Sequence, residues 1–150
     1  MNYSPLLAPV VALVAWTLVM QIWMYATRFP AMKRKGIEIK GRRGGKGTQL
    51  DGVLEDQVQW KAHNYNHLME QPTLFYAVAI SLALLGGGTF QMNVILAWAY
   101  VGLRVLHSLI QATTNVVRWR FLVFSLASVA LLALTVHAGM MLLHLPMTHS

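Results

Sequence analysis

The sequence has no cysteine and few charged residues, and each shortage excludes a class of protein. Without cysteine there are no disulfides, no thiolate metal sites and no protein thiol for catalysis, so any thiol chemistry must use a ligand's thiol. Charged residues make up only 11% of the chain, against about 25% in an ordinary soluble protein. The chain is therefore too poor in polar side chains to cover a soluble domain.

Apolar sequence is what the chain has in abundance, with 56% hydrophobic residues over a length of 150. At about 20 residues for each membrane span, this length accommodates four transmembrane helices in a single domain. Apolar runs and their glycine and proline breaks predict helices over about residues 5–27, 50–85, 91–112 and 118–144. The predicted fold class is all-α integral membrane, a four-transmembrane-helix bundle with up-down topology.

The basic residues are concentrated in one region, since nine of the twelve lie between Arg28 and Lys61. Eight of these nine lie in a predicted glycine-rich loop over about residues 28–49, which begins where residues 28–30 are expected to end the first span. They lie beside a membrane segment without interleaved aromatic residues, so we predict no nucleic acid partner. The positive-inside rule instead places this loop in the cytoplasm and both termini on the non-cytoplasmic side.

A polar stretch, residues 63–72, leads directly into the apolar half of the second helix. An acidic side chain deep in a bilayer costs roughly 2.5–3.5 kcal/mol, so Glu70 is by default a functional-site hypothesis. Pro72 is expected to kink this helix and to free the main-chain carbonyl of Leu68, because proline has no amide proton.

Polar residues recur at intervals of three or four on two helices, and such residues share one helix face. All of them lie towards the predicted cytoplasmic half and predict a polar pocket at that end of the bundle. They are His63, Asn66, His67 and Glu70 on the second helix, and Tyr100, Arg104, His107 and Gln111 on the third, with Arg118 and Arg120 opening the fourth.

The same residues allow two other interpretations. Glu70 and Arg104 could form a buried ion pair that fixes oligomer packing, or a pocket for a lipid headgroup, in a non-catalytic membrane protein. His63 and His67 are four apart and Glu70 follows, but the chain lacks both the His-Glu order of metalloproteases and a second Glu-x-x-His set, so no metal site is predicted.

Three further histidines, His137, His144 and His149, lie at the opposite end of the chain and appear isolated in the sequence. We interpret each of them as a solvated or interfacial side chain.

Three segments resemble a known family. The segments are residues 66–76, residues 97–108 with their Arg-x-x-His pair, and residues 118–122, which carry an arginine sixteen positions after Arg104. They resemble the MAPEG family, the membrane-associated proteins in eicosanoid and glutathione metabolism. The resemblance covers about residues 5–145 and is nearest to the bacterial branch, which implies a bacterial inner membrane.

The resemblance implies a homotrimer in the lipid bilayer that holds glutathione, as co-substrate, between neighbouring subunits near the cytoplasmic face. The implied function is a membrane-bound glutathione-dependent transferase or peroxidase acting on lipophilic electrophiles or lipid hydroperoxides. By position, Arg120 matches the arginine near the glutathione sulfur and is the implied catalytic residue. The implied glutathione-binding residues are Asn66, Glu70, Arg104, His107 and Lys61. Of these, Arg104 and Lys61 would pair with the glutathione carboxylates, and Asn66 and Glu70 would hold its backbone.

Overall fold

The fold is all-α, as predicted, in a computed structural model that describes residues 3–38, 40–41 and 43–144. The structure places no β-strand in these ranges. Short 3₁₀ turns occupy Gly47–Leu50 and Gly87–Thr89. The five α-helices are α1 (Leu7–Arg34), α2 (Asp56–Leu68), α3 (Gln71–Leu84), α4 (Gln91–Thr113) and α5 (Val117–His144).

Helix α1 does not end at Pro30, and that prediction is wrong. The helix continues through the exposed proline and ends at Arg34 in a Schellman motif, in which Gly36 takes a φ of +66°. The Ile37 amide donates to the Met32 carbonyl at 3.0 Å, and Ile37 packs against the apolar cluster that contains Met32. Hydrogen bonding at Gly36, where a left-handed conformation carries no steric cost, therefore sets the helix end.

The predicted continuous helix over residues 50–85 is instead two helices, α2 and α3, separated by Met69 and Glu70. Pro72 lies at the second position of α3, where a missing amide proton costs nothing because the first amides of a helix have no partner. The Glu70 carbonyl accepts from the Thr73 amide at 3.1 Å. The chain avoids an internal proline kink by ending one helix and beginning another.

Helix α4 is the centre of the bundle and contacts α1, α2 and α5. Its Tyr100 is fully buried and stacks on Phe75 of α3 with ring centroids 4.4 Å apart. The Tyr100 hydroxyl donates to Gln71 Oε1 at 3.4 Å, and Gln71 Nε2 donates to Ser128 Oγ at 2.8 Å. These bonds tie α3 to both α4 and α5 through the core.

Three helices, α1, α4 and α5, are long and apolar enough to cross a membrane. Their outward positions are themselves apolar: Ile22 is 67% exposed, Trp98 47% and Leu132 63%. An apolar surface of this extent is stable against lipid rather than water. Helix α3, with 14 residues, is about 21 Å long and completes the second passage together with the end of α2. The chain is an integral membrane bundle.

Candidate functional site

Arg104, in the middle of α4, is fully buried and directed at the break between α2 and α3. Its Nη2 donates to the main-chain carbonyl of His67 at 2.9 Å and lies 3.2 Å from His67 Nδ1. The normal helical donor to that carbonyl is the amide of residue 71, which here opens α3. The guanidinium therefore replaces a main-chain hydrogen bond that the helix break removes.

The same contact fixes the protonation of the His67 ring. A guanidinium only donates, so His67 Nδ1 must carry the lone pair and Nε2 the proton. The ring stacks on His107 with centroids 4.8 Å apart, and Phe124 of α5 lies 5.3 Å from it. Arg104, His67, His107 and Phe124 thus form one cluster where α2, α4 and α5 meet.

Arg120 enters this region from the first turn of α5 and is held by Asn115 in the short connection after α4. Its Nη1 donates to Asn115 Oδ1, and its buried Nε has no partner in the described part of the chain. Asn115 has a φ of +52°, a left-handed conformation that asparagine tolerates well, and its amide donates to the Ile110 carbonyl at 2.7 Å. One residue therefore ends α4 and orients the arginine.

A cavity of about 160 Å³, here called the arginine cleft, lies between these side chains. Its polar wall is formed by a cation and two imidazoles, and its remaining wall is apolar. The lining residues are His67, His107, Val117, Arg120, Phe121 and Phe124.

Asn66 lies outside the arginine cleft, on the side of α2 that faces α1. It lines a second cavity of about 360 Å³, here called the loop cleft, with His63, Arg28 and Lys46. Arg28 Nη2 donates to the Gly47 carbonyl at 2.6 Å, and a side chain at Gly47 would meet the guanidinium at 3.0 Å. The expectation that Asn66 and His67 face the same pocket is wrong, because consecutive helical residues are about 100° apart.

Lys61 and Glu70 lie in neither cleft. The Lys61 ammonium donates to the Gln57 carbonyl at 2.7 Å and lies 5.6 Å from the Trp23 ring. Glu70 is exposed at the break between α2 and α3. The described ranges contain two ion pairs, Arg34 with Glu55 and His63 with Asp51, so they contain no Glu70–Arg104 pair.

His63 contacts Asp51 instead of sharing a ligand with His67. His63 Nε2 lies 2.9 Å from Asp51 Oδ1, which also accepts from Gln59 Nε2. These hydrogen bonds lower the pKa of the Asp51 carboxyl below its usual value of 3.8. Within residues 3–38, 40–41 and 43–144, no three side chains among His, Asp and Glu come together as a metal site.

Several site residues could not be assigned from spacing alone. Phe124 and Asn115 carry no charge and reach the site through contacts between elements, so the sequence gives no signal for them. His67 was one of the polar residues predicted to share a face of the second helix. Only its contact with Arg104 shows that His67, and not Asn66, lines the arginine cleft. Asn64, fully buried, donates to Ser108 Oγ at 2.6 Å and was hidden in the polar stretch.

The fold and the site together define an integral membrane helix bundle with an arginine and two histidines at one end. The MAPEG family model matches residues 6–140, and the chain belongs to the MAPEG family. Searches of the curated proteins and of the solved structures each found no match.

Proposed function

We propose that this protein is a membrane-bound glutathione-dependent transferase or peroxidase that acts on lipophilic electrophiles or lipid hydroperoxides. The observation that carries the proposal is the half-buried Arg120, held by Asn115 at an apolar cleft in a chain of the MAPEG family. A cation in such a cleft stabilises an anion that enters it, because less water screens the charge.

The chemistry assigned to Arg120 is stabilisation of the glutathione thiolate. A cysteine thiol ionises near pH 8.5, and an adjacent cation lowers that pKa. In the transferase reaction the sulfur forms a bond to the electrophilic carbon, and the leaving group departs with its electron pair. In the peroxidase reaction the thiolate attacks the terminal peroxide oxygen and releases the alcohol, and a second glutathione then displaces water to give the disulfide.

Neither cleft by itself supplies a cation for the glutathione sulfur together with cations for its carboxylates. The arginine cleft, at about 160 Å³, is below the roughly 300–1,000 Å³ of typical ligand pockets. The loop cleft instead carries Arg28 and Lys46, two cations for the ligand's carboxylates, beside Asn66. We therefore place glutathione between subunits of a homotrimer, with its sulfur in one arginine cleft and its carboxylates in the neighbour's loop cleft.

This arrangement changes the roles implied by the resemblance. Arg28 and Lys46 replace Arg104 and Lys61 as carboxylate partners, since Arg104 supports the helix break and Lys61 is engaged with α1 and its own helix. Asn66 keeps its assignment to the glutathione backbone. His107, with His67, forms the wall beside the sulfur.

Glu70 has a separate role in this proposal. It is exposed at the break between α2 and α3, where it accepts a hydrogen bond from the ligand's ammonium group.

The second substrate reaches the arginine cleft from the membrane. Val117 and Phe121 line the cleft and are each 71% exposed, so an apolar molecule meets an apolar surface on its way to the sulfur. We propose that this end of the bundle faces the cytoplasm and both termini lie on the other side, in a bacterial inner membrane. The concentration of Lys and Arg in the loop after α1 supports this orientation.

Equilibrium binding of glutathione and of S-methylglutathione to the detergent-solubilised protein tests the proposal. We expect both ligands to bind the wild type, and Arg120→Ala to weaken glutathione at least about tenfold while S-methylglutathione is little changed. Arg118→Ala is the matched control, because Arg118 is exposed two positions away and lies against Trp119. Absence of glutathione binding to the wild type would contradict the proposal.

A further inference from the structure

The opposite end of the bundle contains a cavity that the proposed glutathione chemistry does not use. It has a volume of about 320 Å³ and lies where α5 ends beside the start of α4. Its lining consists of one aromatic ring, two imidazoles and two thioethers. These residues are Phe90, His137, Met140, Met141 and His144.

His137 in this cavity is oriented by a buried asparagine, so the expectation that this histidine is isolated is wrong. His137 Nδ1 lies 2.7 Å from Oδ1 of Asn93, which is 2% exposed. Asn93 Nδ2 donates to the Gly87 carbonyl at 2.8 Å, so the amide cannot be reversed without losing that bond. This pairing could not be predicted from the sequence, because the partners are 44 residues apart.

This network fixes the tautomer of His137. Asn93 Oδ1 only accepts, so His137 Nδ1 carries the proton and Nε2 carries the lone pair. A histidine whose second ring nitrogen donates to a fixed acceptor is the usual arrangement at protein metal sites, because the acceptor sets the ring orientation and the ligand nitrogen. Gly87 is part of the arrangement, since a side chain there would meet Asn93 Nδ2 at 3.2 Å.

The remaining donors follow His137 at helical spacing. Met140, Met141 and His144 come three, four and seven residues later, so all four side chains lie on one face of α5. Thioethers are soft ligands that select Cu(I), and imidazole also binds copper. None of these four donors is a carboxylate or a thiolate, so none would offset the charge of a divalent cation.

We propose that this face of α5 binds one Cu(I) ion through His137 Nε2 and the thioethers of Met140 and Met141, with His144 as the outer ligand. The site is independent of the proposed glutathione chemistry, because it lies at the other end of α4 and α5. The rings of Phe90 and His137 lie perpendicular with centroids 5.0 Å apart, and Phe90 lines the apolar side of the cavity.

Anaerobic titration with Cu(I) against a chromogenic Cu(I) chelator tests this site. The protein is purified in detergent without a polyhistidine tag and without glutathione. We expect one Cu(I) for each chain, with both nitrogen and sulfur neighbours in X-ray absorption. Because the chain has no cysteine, a Cu–S distance in this preparation can come only from methionine.

Three variants with one matched control locate the site. His137→Ala and the double change Met140→Leu with Met141→Leu should each weaken Cu(I) binding at least about tenfold. Asn93→Ala removes only the orienting acceptor and should weaken it about 10–100-fold. Met92→Leu, at the same end of the bundle but outside the cavity, should bind as the wild type does.

The leucine double variant keeps side-chain volume, so we expect it to fold. An elution volume of the oligomer equal to that of the wild type in size-exclusion chromatography checks this. Wild-type affinity in that folded variant would overturn the proposal. So would loss of binding on Met147→Leu with His149→Ala, two residues outside the described part of the chain, while the α5 variants bind normally. A preference for Zn²⁺ over Cu(I) would also overturn it.

Discussion

Arg104 Nη2 donates to the main-chain carbonyl of His67 across 2.9 Å and thereby joins the middle of α4 to the end of α2. The resemblance to the MAPEG family implied that Arg104 would bind a carboxylate of glutathione. The structure gives the guanidinium a main-chain partner at the helix break, while its Nε and Nη1 have no partner among the residues that the structure describes. Arg104 therefore supports the helix break, and it contacts the arginine cleft through His67, which lines it.

Replacement of Arg104 by methionine should destabilise the protein. The variant keeps an apolar stem but leaves the His67 carbonyl buried without a donor, at a cost of about 1–3 kcal/mol. Chemical unfolding in detergent, followed by circular dichroism, measures the loss. Arg118→Met on the exposed side of α5 should change the free energy of unfolding by less than about 0.5 kcal/mol. Equal stability of the two variants would contradict the assigned role.

Asn115 should act as the positioning residue for Arg120. Asn115→Gly keeps the left-handed backbone conformation but removes the acceptor for Arg120 Nη1. We expect a glutathione thiolate fraction between those of the wild type and Arg120→Ala, with S-methylglutathione binding unchanged. Thr114→Ala, in the same connection, is the control. A glycine variant with the full wild-type thiolate fraction would show that the hydrogen bond does not position the arginine.

Asp51 should make stability depend on pH in the acid range. Hydrogen bonds from Gln59 and His63 lower its pKa in the folded state below 3.8, so its contribution is complete above that value and is lost as pH falls through the folded pKa. Between about pH 5 and about pH 3 the wild type should lose more stability than Asp51→Asn. Denaturant unfolding at both pH values measures the difference. Glu38→Gln, an exposed loop change, should follow the wild type.

The fold was largely predictable because its main signals are local. Helices α4 and α5 begin and end within one residue of the positions that apolar length and the glycine break predict. At Pro72 the sequence predicted a kink but not the end of one helix and the start of another. A proline is also tolerated inside a longer helix, as Pro30 shows in α1.

The site was less predictable because its decisive contacts join distant parts of the chain. Helical spacing placed Asn66 and His67 in one stripe, yet only the packing of α2 against α4 decides which of them meets Arg104. In the sequence, Arg28 is one of many charges in a basic segment. Its position beside Asn66 depends on the hydrogen bond between Arg28 and the Gly47 carbonyl, which holds the loop against α1.

The proposal that glutathione binds between subunits can be tested by combining two inactive variants in one trimer. Coexpressed Arg120→Ala and Arg28→Ala chains should regain activity in mixed trimers, because one of the three junctions then combines an intact arginine cleft with an intact loop cleft. The expected activity is about one third of wild type in each mixed trimer, while either variant alone is inactive. Differently tagged chains allow the mixed trimers to be isolated. No recovery in the isolated mixed trimers would place the whole site within one subunit.

Ultraviolet difference spectroscopy of bound glutathione tests the central claim, stabilisation of its thiolate by Arg120, most directly. The absorbance of the thiolate is titrated with pH for the wild type, Arg120→Ala and Arg118→Ala, with S-methylglutathione as the blank. The account predicts that the wild type and Arg118→Ala form thiolate well below the usual thiol pKa of about 8.5, and that Arg120→Ala does not. Thiolate formation in Arg120→Ala equal to that of the wild type would contradict it.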